Sequence, residues 1–122
     1  EVFVGLARSG GPVEVARVAF EGGRLSLQTL ASIPTRGRIG TLCAYVWNGN
    51  VFLLLGYGDL EKSELYSLWP GDWSPRFRQE LSGLGSPSDC RFFAMGKRLA
   101  LAVAYESLKI AASPRSFRAR TV

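Results

Sequence analysis

Trp47-Asn48-Gly49-Asn50-Val51-Phe52-Leu53-Leu54-Leu55 is the stretch that decides the fold. An Asn-Gly pair between apolar segments is a strong hairpin signal, because the type I′ turn needs positive φ at both central residues. The run that follows, Val51–Leu55, shows no alternation. A strand wet on one face alternates apolar with polar, so a continuous apolar run fits a strand covered on both faces. On the near side of the turn, Cys43-Ala44-Tyr45-Val46 reads as the returning partner.

The pattern recurs 47 residues later, when Cys43 is laid on Cys90. Cys90-Arg91-Phe92-Phe93-Ala94 is again an aromatic strand, Met95-Gly96-Lys97 a tight turn, and Leu99–Tyr105 a continuous apolar run. Val13–Phe20 with Leu25–Ala31 around Gly22-Gly23, and Glu64–Trp69 with Phe77–Leu81 around Pro70-Gly71-Asp72, read as further hairpins. Val13-Glu14-Val15-Ala16-Arg17-Val18 alternates as a half-exposed strand does. Val2–Ala7 resembles Phe52–Tyr57, and a third hairpin is expected from 108–112 through Ser113-Pro114 to 117–122. No segment carries sustained helical spacing with caps. The expectation is one all-β domain over residues 1–122, built from four-stranded antiparallel, propeller-like units at about 1–41, 42–89 and 90–122. That is about two and a half units, so the chain is a partial propeller, is completed by other copies, or is a β-sandwich. Glu1 just before a strand and Val122 inside one suggest strands completed elsewhere.

Leu65-Tyr66-Ser67-Leu68-Trp69, Gly85-Ser86-Pro87-Ser88-Asp89 with Cys90–Gly96, and Leu99-Ala100-Leu101-Ala102-Val103-Ala104 together resemble the epilepsy-associated (EAR, or EPTP) repeats of extracellular β-propellers. Ile33-Pro34-Thr35-Arg36-Gly37 is similar to the turn of those repeats, although the first copy carries Leu42 where the second carries Asp89. The resemblance implies a propeller fold, an extracellular location and a role in protein recognition.

The missing residues exclude much chemistry. There is no His among the 122 residues, which removes the usual Ser–His–Asp and Cys–His sites and His-ligated zinc. The two cysteines form no CxxC pair, GxxxxGK[ST] is absent, and Gly56-Tyr57-Gly58 lacks the third glycine of a dinucleotide loop. No apolar run approaches the roughly 18 residues of a membrane helix, and no stretch reads as a signal peptide. We therefore expect no catalysis and no cofactor or metal, and a protein partner or further copies of the chain as the ligand.

Charge is uneven. Residues 1–106 carry 11 basic and 10 acidic residues, whereas 107–122 carry Lys109, Arg115, Arg118 and Arg120 and no acid. Of the net +5, +4 thus comes from the tail, which is expected to be a solvated segment or else an arm that contacts nucleic acid or another anionic surface. The candidates for partner binding are Tyr57, Trp69, Trp73, Arg115, Arg118 and Arg120. Two indoles around a turn either anchor an interface or pack across the hairpin. Trp47 reads as core or turn packing. Asp59, Glu61 and Glu64 with Lys62 read as a solvated acidic loop, since they lack the calcium-loop spacing. Arg36 with Arg38, Arg76 with Arg78, and Lys97 with Arg98 read as solvated basic pairs beside turns. Cys43 and Cys90, as equivalent positions in neighbouring units, are expected to be two buried thiols, which weighs against an oxidising compartment.

Overall fold

The computed structural model describes residues 2–8, 10–106 and 116–121, the last of these as strand backbone. Ten strands follow one another: β1 (Val2–Leu6), β2 (Val13–Glu21), β3 (Arg24–Ile33), β4 (Ile39–Trp47), β5 (Asn50–Tyr57), β6 (Lys62–Leu68), β7 (Arg76–Ser82), β8 (Ser86–Met95), β9 (Arg98–Glu106) and β10 (Ser116–Thr121). Each pairs antiparallel with its chain neighbour inside one of three open sheets, β1-β2-β3, β4-β5-β6-β7 and β8-β9-β10. The chain is all-β, with no helix among the described residues and so none long and apolar enough to cross a membrane. The strand expected at 108–112 lies outside the described residues; β9 pairs instead with β10.

The sheets lie in chain order, the second between the other two. Val13, Val15, Ala31 and Ile33 of the first sheet pack on Val51, Leu53, Leu55, Tyr57 and Leu68 of the second. On its other face Leu54, Leu65 and Leu81 meet Phe92, Leu99, Leu101, Val103 and Tyr105 of the third. Thus β5 is buried from both sides, as its unbroken apolar run requires. Its turn is the expected one, with Asn48 at φ 51° and Gly49 at φ 78°.

Pairing corrects the alignment of the hairpins. Trp47 and Asn50 enclose one turn and Met95 and Arg98 the other, an offset of 48. At that offset Val51, Leu53, Leu55 and Tyr57, which face the first sheet, correspond to Leu99, Leu101, Val103 and Tyr105, which face the second. Cys90, opposite Val103, then corresponds to Leu42, opposite Leu55, and not to Cys43. A slip of one residue moves a side chain to the other face of its sheet. Cys43 on β4 therefore looks toward β8, and Cys90 on β8 looks back toward β4. The two form a disulfide with Cα atoms 6.1 Å apart, within the usual span of such a bond. The expectation of two thiols is corrected: both cysteines are paired, across the seam between the second and third sheets.

The cross-link closes a sequence separation of 47. The chain-entropy model assigns such a loop about 4 kcal/mol of stabilisation through the unfolded state. In urea denaturation the reduced chain and the Cys43→Ala/Cys90→Ala variant should both unfold at clearly lower denaturant than the oxidised chain. Coincident curves for all three would show that the bond contributes nothing beyond the packing around it.

Candidate functional site

A meander sends every odd-numbered strand to the same end of its sheet, and hydrogen bonds tie those loops together across the three sheets. Thr35 Oγ1, between β3 and β4, donates to the Gly11 carbonyl between β1 and β2 at 3.0 Å. The Arg38 N–H is shared by both oxygens of Asp59, in the turn after β5, at 3.0 and 3.1 Å. The Gly58 N–H returns to the Arg38 carbonyl at 3.1 Å, and Ser86 Oγ at the start of β8 donates to the Gly58 carbonyl at 2.8 Å. Gly37 makes the Asp59 clamp possible, because a Cβ there would lie 2.6 Å from Asp59 Oδ1.

Two adjoining cavities open on this loop end. The first, about 610 Å³, is lined by Arg8, Thr35, Arg36, Arg38 and Asp59 among others. The second, about 450 Å³, shares Arg38 and Asp59 and adds Ser86, Ser88 and Glu106. The arginines are not equivalent. Arg8 reaches Glu14 at 3.7 Å and Arg36 reaches Glu64 at 3.9 Å. Arg38 lines both cavities, and among the described residues its guanidinium has no ion pair. Its backbone is fixed by Asp59 while its exposed side chain keeps its donors. Guanidinium groups present a planar fork of donors that matches carboxylates.

A buried ionic cluster lies where the first two sheets meet below these loops. Glu64 on β6 is 1% exposed. Tyr66 Oη donates to its Oε1 at 3.2 Å, and Lys62 Nζ and the Arg36 guanidinium each stand 3.9 Å from its Oε2. Lys62 also bonds Glu80 at 3.3 Å and sits 5.9 Å over the Tyr57 ring. The acidic stretch is thus not wholly a solvated loop: Glu64 belongs to a strand and is enclosed, its charge compensated by the groups around it. Among the described residues no cluster of acids, His or Cys is disposed to hold a metal.

Tyr57, taken from the sequence as a contact residue, is fully buried, so its face cannot meet a partner. Its hydroxyl makes no hydrogen bond of good geometry, although Glu64 and the Arg36 backbone stand close enough to act on it. Burial first, and then Glu64, pushes its pKa up to about 12. Tyr66 is also raised, by burial and then by Glu64.

The other sequence candidates scatter. Trp73 is partly buried against the core, its ring tilted at 49° to that of Phe3 with centroids 5.5 Å apart and the Arg17 guanidinium 5.6 Å from it, so much of its surface is spent on packing. Trp69 is 43% exposed and carries Arg76 4.8 Å over its ring. Trp47 packs beside Phe52 at the seam with the third sheet. Arg118 and Arg120 pair in register with Val103 and Leu101; their side chains, and Arg115 altogether, lie outside the described residues. The structure brings together Arg36, Arg38 and Asp59, which the sequence shows as charges beside turns, and adds Arg8 and Thr35, which carry no local signal.

Two measurements check this geometry. Gly37→Ala should displace Asp59 and speed amide exchange at Arg38 by about fivefold, since a hydrogen bond of this kind contributes about 1 kcal/mol; unchanged exchange would show that the clamp holds nothing. For Tyr57, the folded pKa of about 12 lies above the ordinary tyrosine value of 10.0. The native state therefore holds its proton where the unfolded state has lost it, and stability should fall as pH rises from about 10 towards 12. Tyr57→Phe should flatten that fall in melting temperature, and an equally steep fall in the variant would place its cause elsewhere.

Comparison with family models finds no match for this chain, and comparisons with curated proteins and with solved structures find none either.

Proposed function

We propose that the chain is a non-catalytic protein-interaction module of propeller-like repeats, which takes an acidic segment of a partner protein at its loop end. The observation that carries this reading is Arg38, standing between two adjoining cavities with a guanidinium that has no ion pair among the described residues. Of the three arginines that line the first cavity, Arg8 and Arg36 are engaged by Glu14 and Glu64, so Arg38 is the one that offers its guanidinium to an anionic group. The loops are bonded to one another, so the surface is organised before a partner arrives and less ordering opposes binding. Sheets stacked in chain order, with hairpins of like register at an offset of 48, support the repeat reading. The disulfide supports an oxidising location outside the cytosol. It also removes the conflict that two free thiols would have posed.

The test is fluorescence anisotropy with a labelled Asp/Glu-rich peptide and a Lys-rich peptide of equal length. The acidic peptide should bind saturably, more weakly as salt rises. Arg38→Ala should weaken it by about tenfold, as expected for loss of a charge-assisted hydrogen bond. Equal binding of both peptides, or wild-type affinity in the variant, would refute the reading.

A further inference from the structure

The outer edges of the first two sheets differ in a way that the loop end does not explain. β7 closes the second sheet and carries Arg76, Arg78 and Glu80 along its exposed length. Charges on an edge strand are a usual guard against pairing with another chain. β3 closes the first sheet and has no such guard. From Leu25 to Ile33 it holds no charge and no proline, and Arg24–Thr29 are all exposed. Leu25 is 72% and Leu27 55% exposed, and Phe20, paired with Leu25 across the ladder, is 71% exposed. Three large apolar side chains therefore share one face of an edge whose outward backbone groups are unpaired among the described residues.

We propose that this edge is the contact between two copies of the chain, with β3 of one pairing antiparallel to β3 of the other about a two-fold axis at Leu27. The pattern of the strand points to a second copy as the occupant. A two-fold at Leu27 sets Leu27 opposite its own copy, Leu25 opposite Thr29, and Ser26 opposite Gln28. Opposed residues of an antiparallel pair lie on one face, so the leucines stay with Thr29 and the polar pair stays together on the other face. An axis midway between Ser26 and Leu27 would set leucine against serine and is excluded by the same rule, while an axis at Ser26, which would set Leu25 opposite Leu27, is told from this one by the cysteine cross-links below. Arg24 falls opposite Leu30, so no like charges meet. An isologous contact of this kind closes on itself, giving a dimer and not a filament, and joins two three-stranded sheets into one of six. Arg24–Thr29 lie toward the Gly22-Gly23 turn, at the opposite end of β3 from Thr35 and Arg38, so the dimer leaves the loop end open and does not depend on the reading given for it.

The experiment needs no ligand: the mass of the full 122-residue chain is followed by light scattering across concentration. A monomer–dimer equilibrium is expected. Leu27→Lys places two ammonium groups against each other at the axis on an already exposed position, and the dimer should be lost while the melting curve of the monomer is kept. Phe77→Lys on β7 should leave the dimer intact. Leu27→Cys should give a disulfide-linked dimer on mild oxidation, because both native cysteines are already paired, and Ser26→Cys should not, because Ser26 faces Gln28. A monomer at every concentration overturns the proposal, as does a dimer that survives Leu27→Lys, one lost with Phe77→Lys, or one that cross-links through Ser26→Cys instead of Leu27→Cys.

Discussion

β5 gives up solvent on both of its faces, and the arrangement of the other strands follows from that. Val51, Leu53, Leu54, Leu55 and Tyr57 are each at most 1% exposed. Burying one such side chain fully is worth roughly 1.5–3 kcal/mol. The side chains alternate, so Val51, Leu53, Leu55 and Tyr57 realise that gain against the first sheet and Leu54 realises it against the third. Neither neighbour alone could cover the strand. Because both sheets must lie flat on the second with their meanders running the same way, the loops after β1, β3 and β5 and the start of β8 come to one end. The bonded loop end with its two cavities is thus a geometric consequence of covering β5.

That constraint was open to reading because it is local. Asn48-Gly49 specifies its turn by backbone sterics alone, and an unbroken run such as Val51–Leu55 has no stable place except between two covers. The cysteines were not legible in the same way. Laying Cys43 on Cys90 matches two identical residues and gives an offset of 47, while the ladder obeys 48. A signal for the true register was present: Tyr57 and Tyr105 end their apolar runs 48 apart, and both are buried at the ends of corresponding strands. In sheets, where one residue exchanges inside for outside, a match of buried aromatics at strand ends carries more register information than a match of cysteines.

The candidate site was legible as a set of charges and not as a set of partners. Arg38 and Asp59 are 21 residues apart and meet because Ile39 pairs with Tyr57 in the β4–β5 ladder, which sets the residues just beyond the two strand ends side by side. Nothing in either loop's own sequence specifies the other. Glu64 failed for a different reason. Its acidic neighbours Asp59 and Glu61 sit in the turn, but Glu64 pairs with Leu55 inside the ladder and shares its inward face. A carboxylate there needs compensation, and Lys62, Tyr66 and Arg36 come from a strand and a loop that meet around it in the fold. Arg36 also fastens the loop between β3 and β4 to the second sheet, so the buried acid supports the loop end from below.

β3 shows how one strand can serve two surfaces. Its pairing with β2 shifts between Val15 and Ala16, which face Ala31 and Thr29, so Leu30 has no opposite residue. A bulge of this kind bends a strand and increases its twist. On one side of it Ala31 and Ile33 enter the core and lead directly into the loop that carries Thr35, Arg36 and Arg38. On the other side Arg24–Thr29 leave the core and stand exposed. Had the strand run straight, more of its leucines could have met the second sheet and the edge would have been shorter. The bulge instead divides it into a half that positions the loop end and a half that is free to pair. Past Arg24 the free half carries no charge, whereas the edge of the second sheet, equally exposed, carries three charged residues.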